Sequence, residues 1–177
     1  DPIFYMQAHN LHNYYYEQEP GPSAIFENFM DPEVMKSLIG ESLTMSDDHF
    51  DKYEDIGDGK VYDDHAYMNL KRGCRHLDKM PPVMKTVCRY FNSNKFMEWL
   101  QVVTGIKNLQ PDPNYLGGGY HQTLPGGHLS LHKDFTYHKG LKLYRKVNLL
   151  IYLNKSWDES LGGNLELWDN DMTKKYH

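Results

Sequence analysis

The chain has 177 residues, 40% of them hydrophobic, with 14 tyrosines and a formal net charge of −5. That length is one domain's worth, enough to bury a core without disulfides, and the negative balance argues against a nucleic-acid-binding footprint. The longest apolar run, Leu149 to Leu153, is far too short to span a bilayer, and no signal peptide is recognisable.

Residues 1–23 contain His9, His12, the run Tyr14-Tyr15-Tyr16 and the segment Pro20-Gly21-Pro22, and read as an N-terminal arm or substrate-side flap rather than core. The remainder, 24–177, reads as one domain. Asp31 as N-cap with Pro32 in the first turn opens a helix whose Val34, Met35, Leu38 and Ile39 form one apolar stripe, suited to packing on a sheet. His49-Phe50-Asp51, set among Asp47, Asp48, Lys52, Glu54 and Asp55 with no apolar strand after it, reads as a solvated loop. Pro81-Pro82 opens a second helix with Val83, Met84, Val87, Cys88 and Phe91, and a third runs from about Asn94 to Thr104 before Gly105 stops it. Their Met and aromatic positions are core. Cys74 and Cys88 have no metal-ligand spacing, read as reduced thiols, and point to a cytoplasmic location.

From Leu116 to Leu131, glycines placed for tight turns and an alternating pattern predict strand, turn, strand. Lys139, Lys142, Arg145 and Lys146 then read as a solvated loop between strands. Val147 to Asn154 is apolar on both faces, which predicts a strand buried on both sides at the centre of a sheet. A polar loop to Ser160, a turn at Gly162-Gly163 and an alternating strand from Asn164 to Trp168 complete the pattern. Helices first and strands afterwards imply α+β, and several short strands in a row suggest a barrel or sandwich.

Within that region, His132-Lys133-Asp134 carries chemistry. In an extended strand alternate side chains share a face, so the imidazole of His132 and the carboxylate of Asp134 can reach one cation. Together they are two of the three donors in a two-histidine, one-carboxylate set, whose open positions suit Fe(II) oxygenases, whereas zinc more often takes a closed tetrahedron. His121, His128 and His138 flank the motif and read as hydrogen-bonded neighbours.

The run from Gly117 to Trp168 resembles the prolyl-4-hydroxylase-like branch of the Fe(II)/2-oxoglutarate-dependent oxygenases. The likeness is carried by His132-Lys133-Asp134, Ile151-Tyr152-Leu153-Asn154, the loop Lys155-Ser156-Trp157-Asp158 and Gly162-Gly163-Asn164-Leu165-Glu166-Leu167. Asn28 to Glu33 and Leu109 to Pro113 extend it toward the N-terminus. It implies a double-stranded β-helix, or jelly-roll, core with N-terminal helices packed on the sheet and its last strands beyond the chain. His132 and Asp134 would be catalytic and the first two iron ligands. Tyr152 would donate its hydroxyl to the distal carboxylate of 2-oxoglutarate, or else be an ordinary core tyrosine, and Gln122 would stand near that co-substrate. The family's distal histidine and basic residue are expected beyond the chain, with His177 the candidate inside it. Fe(II), 2-oxoglutarate and ascorbate are the cofactors implied.

The resemblance implies hydroxylation of a prolyl residue in a peptide or protein, or of a small molecule, with neither nucleic acid nor membrane as partner. Two alternatives stand beside it. One is a non-catalytic jelly-roll module with an incomplete metal site, and the other a zinc-dependent cupin-like enzyme.

Overall fold

The computed structural model describes residues 10–51 and 68–176, so His9, Lys52, Glu54, Asp55 and His177 lie outside the described residues. Helix α1 spans Pro32–Thr44, and its start follows from the sequence: Asp31 Oδ1 accepts the backbone N–H groups of Glu33 and Val34 at 2.9 and 3.2 Å. Two otherwise orphaned donors are thereby satisfied. Helices α2, Pro82–Phe91, and α3, Asn94–Thr104, match the predicted spans. The carboxylate of Glu41 on α1 accepts the N–H groups of Val83 and Met84 at 2.8 and 2.7 Å, which caps α2 and docks it against α1. Gly105 ends α3 in the left-handed region at φ +65°, a conformation that glycine adopts without a Cβ penalty.

Two apolar clusters form the interior. Leu38, Met45, Phe50, Cys74, Met80 and Met84 make the first, with Tyr120 and Leu153 packed on it. Phe96, Trp99, Leu100 and Val103, one face of α3, make the second, joined by Leu11, Tyr15 and Phe26. The expectation of an arm is corrected here. Residues 10–16 are helical, His12 Nδ1 lies 2.9 Å from the Val103 carbonyl, and the Tyr16 hydroxyl donates to the Thr104 carbonyl at 2.7 Å. Those contacts satisfy carbonyls at the C-terminal end of α3, so the segment is part of the body.

Strand β1, Met68–Cys74, pairs antiparallel with β2, Tyr120–Leu129, in the register Arg72 to Gln122, Gly73 to His121 and Cys74 to Tyr120. The turn predicted inside 116–131 is instead an irregularity within one strand. The ladder passes from Asn69 opposite His128 to Lys71 opposite Thr123, and Gly126 takes φ +80° in the bulged stretch. At the other end, Gly119 has φ +95°, and a Cβ there would overlap the Cys74 carbonyl oxygen. A small hairpin, β3 Tyr137–His138 with β4 Leu143–Tyr144, is the second antiparallel pair. Among the described residues the architecture is α+β with two two-stranded sheets.

Three sequence expectations are overturned. Val147 to Asn154 forms no ladder among the described residues, and Leu149, Leu150, Ile151 and Tyr152 are exposed. An apolar run becomes a central strand only when a neighbour pairs on each side, and here only Val147 and Leu153 reach the two clusters. Of Asn164 to Trp168, only Trp168 pairs, in an isolated bridge with Lys175. His49-Phe50-Asp51 is no solvated loop: Phe50 belongs to the first cluster and the Asp51 side chain is 2% exposed. Asp51 accepts the Arg75 backbone N–H at 2.7 Å and faces Lys79 at 3.5 Å, because burying a carboxylate requires such partners.

Cys74 and Cys88 are free thiols, as read from their spacing, and burial pushes both up to about 11. Only the thiolate reacts, so alkylation by iodoacetamide at pH 8 should run about a hundredfold slower in the native protein than after denaturation. Mass spectrometry of timed samples checks this, and equal rates in both states would contradict the burial. Among the described residues, no helix is long and apolar enough to cross a membrane.

Candidate metal centre

Alternation along the β1–β2 ladder sorts its side chains. Arg72, Cys74, Tyr120 and Gln122 share one face, and Tyr120 and Cys74 place that face on the first apolar cluster. Lys71, Gly73, His121 and Thr123 share the other. Asp134 acts electrostatically on both Lys71 and His121, two residues of this second face. Burial lowers the Lys71 ammonium, and Asp134 opposes that shift. Desolvation likewise holds the His121 imidazole below its usual range, with Lys71 adding to it, although the residue keeps an exposed edge. His121 Nε2 lies 3.1 Å from the Gly118 carbonyl.

After β2 the chain runs through 130–136 without pairing and brings His132 Nε2 to 3.5 Å from Asp134 Oδ1. His132 Nδ1 lies 2.7 Å from the Ser130 carbonyl oxygen. A carbonyl only accepts, so Nδ1 carries the hydrogen and Nε2 is left to face an ionised carboxylate oxygen, which also only accepts. At that separation the ring nitrogen and the carboxylate oxygen are close enough to be donors to one metal ion. Backbone support of the remote ring nitrogen is the arrangement metal-ligating histidines use.

The second carboxylate oxygen is occupied. Asp134 Oδ2 lies 3.2 Å from Arg145 Nη2 and accepts from Asn148 Nδ2 at 3.4 Å, while Arg145 Nη2 donates to Asn148 Oδ1 at 3.0 Å. Reversal of the chain at the β3–β4 hairpin places these groups. Arg145 N–H donates to the Thr136 carbonyl at 2.8 Å, and the guanidinium lies 4.9 Å from the Phe135 ring centroid. Arg145 therefore departs from the solvated loop expected of the basic cluster, with its side chain 21% exposed, whereas Lys139 and Lys142 do remain in the exposed turn. Sequence reasoning missed Arg145 and Asn148 as parts of the site. The available signal was Asn148 itself, the lone polar residue within the run 147–153 other than Tyr152.

Gln122 is not gathered here. Gln122 stands on the opposite face of β2, where its Oε1 accepts from Arg72 Nε at 2.7 Å. Arg72 in turn pairs with Asp47 and lies 3.9 Å from the Phe50 ring centroid. Tyr152 lies in the unpaired run 147–154, 59% exposed, and desolvation raises its phenol. His138 Nδ1 accepts the Leu141 N–H at 3.1 Å, in keeping with a hydrogen-bonded neighbour.

An imidazole nitrogen and a carboxylate oxygen fit Fe(II) as donors, but the fit is partial: among the described residues no group of three or more His, Cys, Asp or Glu could hold a metal ion. No curated protein and no solved structure matches the chain. Residues 118–177, about a third of it, match the family model described as 2OG-Fe(II) oxygenase superfamily, which implies Fe(II) and 2-oxoglutarate as metal and co-substrate. The stretch that brings His132 and Asp134 face to face is thus similar to that superfamily, which supports a general oxygenase function without distinguishing any branch of it.

Proposed function

We propose that this chain carries an Fe(II)- and 2-oxoglutarate-dependent oxygenase that hydroxylates a prolyl residue in a peptide or protein. The observation that carries the reading is the opposition of His132 Nε2 and Asp134 Oδ1 at 3.5 Å, a nitrogen and an oxygen close enough to be donors to one cation. The chemistry supplied by the bound metal is oxygen activation coupled to 2-oxoglutarate decarboxylation. His132 and Asp134 would hold it, with a third ligand from a histidine C-terminal to Trp168, for which His177 is a candidate. Tyr152 would donate its hydroxyl to the distal carboxylate of the co-substrate. Gln122 would join it only after releasing Arg72. A jelly-roll core and ascorbate as accessory reductant belong to the same reading. The preference for peptidyl proline over small molecules rests on the likeness of Ile151 to Asp158 and Gly162-Gly163 to prolyl hydroxylases.

Anaerobic titration with Fe(II), followed by succinate measurement with proline-containing peptides and with free amino acids, tests this. Metal binding with peptide-stimulated succinate formation is the expected result. Stimulation by free amino acids alone would move the substrate to small molecules. Neither binding nor succinate would leave the non-catalytic module, the reading favoured by the presence of only two gathered donors among the described residues. Zinc retention without 2-oxoglutarate dependence would favour the cupin-like alternative.

A further inference from the structure

We infer that Arg145, braced by Asn148, is a positioning residue that presents Asp134 Oδ1 to the cation shared with His132; this rests on the oxygenase reading above. A carboxylate turns easily about its terminal torsion, and both oxygens compete for any nearby cation. Here Oδ2 is engaged by Arg145 Nη2 at 3.2 Å and Asn148 Nδ2 at 3.4 Å, which leaves Oδ1 toward His132 Nε2. Arg145 is itself fixed by three contacts, two of them to the guanidinium. Nη2 donates to Asn148 Oδ1 at 3.0 Å, the plane lies by the Phe135 ring, and the backbone N–H is tied to Thr136.

Room for this arrangement comes from Gly117, at φ +72°. A Cβ there would sit 3.0 Å from Phe135 Cε1 and 3.5 Å from Arg145 Nη1. The guanidinium keeps its charge at all working pH values and offers a rigid planar fork, which a lysine reproduces only as a point charge. Two opposed effects follow from placing it here. Its charge repels a metal, while its grip fixes the ligand that attracts one. Orientation prevails on this reading, because outer partners of metal ligands ordinarily raise affinity ten- to a hundredfold.

The test uses the full chain with Mn(II) affinity measured by electron paramagnetic resonance and Co(II) bound as a visible-absorption probe, alongside thermal unfolding. Arg145→Gln should weaken Mn(II) binding tenfold or more and shift the Co(II) bands at an unchanged melting temperature. Arg145→Lys should recover part of that loss, and His132→Ala should abolish binding. Wild-type or tighter Mn(II) affinity in Arg145→Gln, with binding lost in His132→Ala, overturns the role of Arg145 and leaves the oxygenase reading standing. Full affinity in His132→Ala overturns both. If Arg145→Gln fails to fold, Asn148→Ala decides: a two- to threefold loss with shifted Co(II) bands supports the role, and an unaltered affinity and spectrum overturns it.

Discussion

Asp134→Ala is expected to reduce 2-oxoglutarate-coupled succinate formation to background while leaving unfolding stability within about 1 kcal/mol of the parent. The two halves of that expectation come from one feature. The Asp134 side chain is 47% exposed, so its ion pairs with Arg145 and His132 are screened by water and add little to folding. Among the described residues the same carboxylate is one of two donors gathered at the centre, so its loss should weaken metal binding. Succinate quantified by mass spectrometry, with a denaturant melt on the same sample, separates the effects. Full succinate production by the alanine variant would contradict the assignment, and a collapse in stability would show that Asp134 is structural first.

The largest stability effect should fall far from that centre, at Phe96. Its side chain is fully buried, 4.7 Å from the Phe91 ring centroid and 5.4 Å from that of Trp99. Deleting such a ring removes its transfer energy and leaves a cavity that fixed helices refill only in part. Phe96→Ala should therefore cost about 3–5 kcal/mol, a large share of the roughly 5–15 kcal/mol that holds a domain together. Urea unfolding should show a lower midpoint at an unchanged slope. A loss below about 1 kcal/mol would mean that α3 repacks around the vacancy.

The helices were legible because their signals are local. Asp31-Pro32, Pro81-Pro82 and Gly105 sit at the boundaries they predict, since caps and breakers act within one turn of the chain. The β region was read less well because its determinants are distant. Strand β1 carries only a short alternation, Met68, Leu70 and Cys74, broken by Arg72, and its pairing with β2 depends on residues some fifty positions on, such as Gln122 opposite Arg72. Leu149 to Tyr152 look like a core strand by composition, yet burial is decided by which elements lie alongside.

The site divides in the same way. His132 and Asp134 were predicted to share one face of a strand within reach of one cation; the structure places them 3.5 Å apart, but in an unpaired stretch rather than on a strand. Arg145 was invisible because a hairpin reversal, rather than periodicity, carries it back to Asp134. Phe50-Asp51 failed for the opposite reason. An acidic neighbourhood suggested solvent, but Asp51 is fixed by a backbone N–H and a lysine supplied from the segment after β1.

The close approach at Gly119 gives this chain one position where drift is effectively closed. Its missing side chain lets the first residue of β2 settle beside Cys74, so any replacement must lever the two strands apart before it can be accommodated. Because His121, which feels the charge of Asp134, follows two residues later, such a wedge would shift a residue electrostatically coupled to the candidate centre without touching a single ligand. Variation there would register as lost chemistry in a protein whose donors are all intact.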